Sequence, residues 1–84
     1  MVQKRILTRL KKLIAEKTGR QQKEITLGLK FNEDLHLNRL RLFLIIQDLE
    51  EELGIRISGE VFQKIRTVRQ ALQALEALPQ EGGP

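Results

Sequence analysis

The run Asn38-Arg39-Leu40-Arg41-Leu42-Phe43-Leu44-Ile45-Ile46-Gln47-Asp48-Leu49-Glu50-Glu51-Glu52-Leu53-Gly54 decides how this chain folds. At about 100° per residue, Leu42, Ile45, Ile46, Leu49 and Leu53 fall on one face of a helix, which has to be buried. Asn38 suits the N-cap, because its short side chain can accept from a free amide of the first turn. Gly54 suits the stop, because it adopts the left-handed conformation that closes a helix. Leu40, Phe43 and Leu44 fall outside the core stripe. A helix apolar on two sides in a small domain either lines a pocket or meets a partner, and the expectation is that Phe43 is buried and Leu44 exposed.

The charges on this helix run against its dipole. Arg39 and Arg41 stand at the positive N-terminal end, and Asp48, Glu50, Glu51 and Glu52 at the negative C-terminal end. Each misplacement costs a few tenths of a kcal/mol to about 1 kcal/mol when exposed. Removing the two arginines is therefore expected to leave stability unchanged or slightly raised, and residues that weaken the fold where they stand are candidates for recognition.

Outward from this helix the pattern stays helical. On the N-terminal side, residues 21–37 carry no helical period and form an unusually long connection. Ile25, Leu27, Leu29, Phe31 and Leu35 recur at odd positions, so alternate side chains are expected to pin this loop to the core. Before it, Ile6, Leu7, Leu10, Leu13 and Ile14 mark one stripe of a first helix from about Val2 to Lys17, with Gly19 as its stop. Lys4, Arg5, Arg9, Lys11, Lys12, Lys17 and Arg20 make the rest of that helix and its exit basic. On the C-terminal side, Ser58 caps a short third helix over 58–65. The fourth begins at Thr67, whose spacing to Gln70 forms a capping box, and it buries Val68, Ala71, Leu72, Leu75 and Leu78. The reading is all-α, a bundle of four helices with a long loop between the first two and a short third. Residues 1–78 form the domain, and 79–84 a flexible tail whose Pro79, Gly82, Gly83 and Pro84 cannot extend a helix.

Phe31-Asn32-Glu33-Asp34-Leu35 running into Asn38-Arg39-Leu40, followed by the helix and by Gly54-Ile55-Arg56-Ile57, resembles the acyl carrier protein family. The resemblance covers roughly residues 3 to 78, and it implies the same four-helix fold with the same long anchored loop. In that family an F-x-E-D-L stretch leads into Asp-Ser-Leu, and the serine carries the 4′-phosphopantetheine arm. Here Asn38-Arg39 stands in place of Asp-Ser, and a guanidinium stays protonated and is no nucleophile. The expectation is that the chain takes no cofactor. Arg41 stands where the family usually has an acid, and Leu44 where it often has another; the family is acidic, whereas this chain has 15 Lys and Arg against 11 Asp and Glu, a formal charge of +4.

Composition excludes most chemistry. The 84 residues leave room for one small domain. Without cysteine, and with one histidine, disulfides, thiol catalysis and a zinc site are not expected. Ser58 is the only serine and is assigned to a helix cap, so no nucleophilic triad can be assembled. His36 beside Asp34 reads as an exposed loop residue, and Glu50-Glu51-Glu52 as a solvated face, since adjacent helix positions point different ways. No apolar run is long enough to span a bilayer, and the basic start does not read as a signal peptide. A cytoplasmic protein without enzymatic activity or metal is expected.

The function expected is therefore a non-acylated interaction module of carrier-protein type. It would bind an acidic protein partner through Asn38, Arg39, Leu40, Arg41 and Leu44, with self-association as another way to cover that surface. The alternative is a genuine acyl or aminoacyl carrier of fatty-acid, polyketide or related biosynthesis. Membranes are not expected as partners. Nucleic acid would gain only salt-sensitive, non-specific contact, because aromatic stacking residues and a recognisable helix-turn-helix are lacking.

Overall fold

A computed structural model describes residues 2–77, and side chains over 5–77. It contains four helices, α1 (Val2–Thr18), α2 (Arg39–Leu53), α3 (Gly59–Lys64) and α4 (Val68–Glu76), with a 3-10 turn at Gln22–Glu24. No strand is present among the described residues; a single β-bridge joins Lys30 to Thr67. The expectations for Leu78 and for the 79–84 tail lie outside the described residues.

The helix ends follow from their side chains. Asn38 Oδ1 accepts from the Arg41 amide at 2.8 Å, which starts α2. Gly54 ends it at φ 66°, where its N–H reaches the Glu50 carbonyl and the Ile55 N–H reaches the same oxygen. Ser58 Oγ caps α3 through the Val61 amide at 3.2 Å. Thr67 and Gln70 form the reciprocal capping box of α4.

The core collects Ile6, Leu10 and Ile14 of α1, the five stripe residues of α2, and Val68, Ala71, Leu72 and Leu75 of α4. Leu7 and Leu13 are only half-buried at its margin. From the long loop, Ile25, Phe31 and Leu35 are buried and Leu27 and Leu29 pack beside them, as their alternation implied, and Leu37 is buried as well. The loop is also held by its backbone. The Phe31 amide donates to the Arg66 carbonyl at 2.9 Å, and the amides of Val68 and Arg69 donate to Leu29 and Leu27. The connection therefore gains hydrogen bonds that a free loop would leave to water, and it sets the junction between α3 and α4 against the start of α2.

Helix α3 contributes no fully buried residue. Its anchors are the half-buried Phe62, the buried Ile65 just beyond its end, and contacts reaching it from α2.

Candidate functional site

The five residues singled out at the start of α2 do not act as one surface. Asn38 is engaged as the cap. Arg39 turns toward α3: its Nη1 donates to the Ile65 carbonyl and its Nη2 to the Phe62 carbonyl, both at 2.7 Å. Its guanidinium carbon lies 4.5 Å from the centroid of the Phe62 ring, within cation–π range. Partial burial, and secondarily the nearby charge of Arg66, hold the Arg39 pKa below its ordinary value.

This corrects the expectation that Arg39 only weakens the fold. The charge is ill-placed for the dipole of α2, but it meets carbonyls at the C-terminal end of α3, adding a second donor to the Phe62 oxygen that already accepts from the Ile65 amide, and a cation is favoured there. One arginine thus closes the last turn of a helix that has no fully buried residue of its own.

Arg41 goes the other way. It is exposed and lines a cleft of about 180 Å³ with Lys17, Leu37, Leu44 and Ile45, between the end of α1 and α2. Leu40 and Leu44 lie between the two arginines on the outer side of the helix, 67 % and 49 % exposed.

Phe43 is a second correction. Expected inside the core, it is 46 % exposed, because it lies outside the arc of Leu42, Ile45, Ile46, Leu49 and Leu53 that α2 buries. Its ring meets Phe62 edge-on instead, with centroids 5.7 Å apart and planes at 85°, a favourable aromatic geometry. Arg39, Phe62 and Phe43 form a continuous stack across the α2–α3 seam. Phe62 was not singled out from sequence, although a chain with three phenylalanines that places two of them outside its core stripes already hints at such a pair.

The acidic end of α2 is equally divided. Glu50 Oε2 accepts from the Ile57 amide at 2.6 Å, fixing the turn into α3, and Glu52 pairs with Arg9 at 3.5 Å. Asp48 and Glu51 are exposed. The expectation that Glu50-Glu51-Glu52 is a solvated face holds for Glu51 and for Glu52, which stays exposed in its ion pair, and fails for the half-buried Glu50.

Elsewhere the polar groups serve the fold. Asp34 Oδ2 accepts from the Lys30 amide and not from His36, which is exposed and takes a left-handed turn conformation at φ 57°. The Thr18 hydroxyl donates to the Ile14 carbonyl, and those of Ser58 and Thr67 are occupied as caps. Among the described residues no three metal-ligating side chains come together, and no helix is long and apolar enough to cross a membrane.

A bundle of four helices with a long pinned loop before α2 is the architecture of carrier proteins, and comparison with known sequences agrees. The family described as "Phosphopantetheine attachment site" matches residues 8–75. The chain is 33% identical over 76 residues to the acyl carrier protein of Exiguobacterium sibiricum, covering 90% of this chain and 96% of that one. It is 35% identical over 71 residues to acyl carrier protein 2 of Pseudomonas aeruginosa, covering 84% and 90%. The chain belongs to the acyl carrier protein family, a family of carriers and not of catalysts.

The match overturns the expectation that no cofactor is involved. The matching family is defined by the phosphopantetheine attachment site, so 4′-phosphopantetheine is the prosthetic group that this membership implies. The side chain at the start of α2 does not itself fit the ester linkage. Arg39 has no hydroxyl, and its guanidinium is held by two carbonyls and a ring. Position 39 supplies a clamp between helices and no attachment oxygen.

Proposed function

We propose that this member of the carrier-protein family works as an interaction module that binds an acidic protein partner through the start of α2. It acts by binding and not by catalysis, in the cytoplasm, with residues 1–78 as the working domain. The observation that carries this reading is the exposure of Leu40, Phe43 and Leu44 on one helix, flanked by Arg39 on the α3 side and Arg41 on the α1 side. Exposed large apolar side chains gathered in one place and rimmed by charge mark interaction surfaces, and charge complementarity selects the partner. Lys17 beside Arg41 extends the positive rim, which favours an acidic partner over a basic one.

The reading is tested with the double variant Arg41→Glu, Leu44→Asp, which alters exposed positions only. It should fold as the parent does. Capture of partners from the native source by the parent should weaken as salt screens the charges, and the variant should lose the same partners. An identical set of partners for both proteins would mean that this surface is not the site.

A further inference from the structure

The charged half of this surface extends to a residue outside the α2 segment. Arg66, at the junction of α3 and α4, donates from Nη1 to the Gln63 carbonyl at 2.7 Å and to the Ile65 carbonyl at 3.3 Å. The Ile65 oxygen is the one that also accepts from Arg39 Nη1. Two guanidinium groups therefore converge on a single carbonyl oxygen. Each is held by further contacts: Arg39 by the Phe62 ring and carbonyl, Arg66 by the Gln63 carbonyl, on a backbone whose N–H donates to Gln70 Oε1 and whose carbonyl accepts from the Phe31 amide.

Two cations held this close repel one another, and among the described residues no carboxylate pairs with either. The ion pairs among the described residues are Arg9–Glu52 and Lys30–Glu33; neither involves Arg39 or Arg66. Both arginines line an open cleft of about 690 Å³ with Glu60, Gln63 and Lys64. Each guanidinium has five N–H donors in a rigid fork that matches a carboxylate, and here part of each fork is left unused by the contacts to carbonyls. Glu60, though a lining residue, makes no ion pair with either arginine.

We infer that the Arg39–Arg66 pair is an oxyanion site that receives the acidic side chains of the protein partner, two carboxylates set one helical turn apart, while Leu40 and Phe43 receive its neighbouring apolar side chains. This rests on the reading of α2 as the partner-binding surface and adds α3 and the α3–α4 junction to it. A partner's side chains fit better than a free anion for two reasons. The cleft is open, so it does not enclose a small ion, and Phe43 joins it to the exposed apolar patch through its contact with Phe62. A free anion would make no use of that patch.

The test uses the full chain and a designed probe, an amphipathic helical peptide long enough to be helical, with two glutamates at i and i+4 beside leucines on one face. A control peptide carries glutamines instead. Binding is followed by the NMR signals of the arginine Nε–H groups and the backbone amides. The glutamate peptide should shift Arg39 and Arg66 together with the amides of Leu40 and Phe43. The control should bind at least about fivefold more weakly, the factor expected for losing exposed ion pairs. Arg66→Gln alters an exposed residue whose side-chain bonds go to carbonyls of its own turn, so it should keep the fold and show the same loss for the glutamate peptide.

Shifts confined to Arg41, Lys17 and Leu44, with Arg66→Gln binding as the parent, would overturn the inference and leave the α2 surface standing. No saturable shift at either arginine cluster would overturn both. Inorganic phosphate that shifts Arg39 and Arg66 at lower concentration than the glutamate peptide would replace the carboxylate partner by a phosphoryl ligand.

Discussion

Arg39 and Arg41 stand two residues apart on α2, yet they face different regions and do different work. The side of the helix start that faces α3 is built: Arg39 is fixed on two carbonyls and a ring. The side that faces α1 is open, and Arg41 lines a shallow cleft in solvent. The same contrast recurs at the other end of the helix. Glu50 holds the Ile57 amide, whereas Glu51 is exposed. A charge that opposes the dipole of its own helix can thus be offset by a neighbouring helix end or turn. Where no such group is in reach, the whole side chain remains available to a partner.

The contrast can be broken or sharpened by substitution, with urea unfolding as the common measurement. Leu49→Ala, on the core face of α2 and fully buried, should cost about 2–5 kcal/mol and sets the scale of the core. Next, Arg39→Ala removes two charge-assisted hydrogen bonds and a cation–π contact, and should cost about 1–2 kcal/mol after allowance for its exposure. Hydrogen exchange should report that loss chiefly in α3. A neutral or stabilising Arg39→Ala would return this residue to a purely surface role and erase the difference between the two sides.

Phe43→Ala should be milder than a core truncation, about 1 kcal/mol, since a half-exposed ring loses one aromatic pair and only part of its burial. A cost as large as that of Leu49→Ala would mean that the ring is buried in solution. Arg41→Ala should change stability by no more than about 0.5 kcal/mol, as for other exposed positions. A larger loss there would show that the open side is also built.

Much of the fold was legible along the chain because it rests on local chemistry. The buried stripe of α2, the caps Asn38, Ser58 and Thr67, and the stop at Gly54 follow from spacing and from what each side chain can offer a helix end. The alternating apolar residues of the loop gave its anchoring. The candidate site was legible only in part. Leu44 is exposed as its angular position implied, but Phe43 is not buried, because a helical wheel places a residue on a side without saying whether a neighbour covers it. Phe62 carried only the hint of a phenylalanine outside a core stripe, and Arg66 carried no local signal.

By itself the sequence determined that four helices form, which faces they bury, and that Arg39 and Arg41 oppose the dipole of α2. These are properties of residues within a few positions of one another. Helix packing alone settled that Arg39 closes α3 while Arg41 stays free, and that Arg39 reaches the Ile65 carbonyl, 26 positions away, and shares it with Arg66. The reason is that a free helix end is a fixed demand for hydrogen bonds, but which side chain meets it depends on how the helices pack.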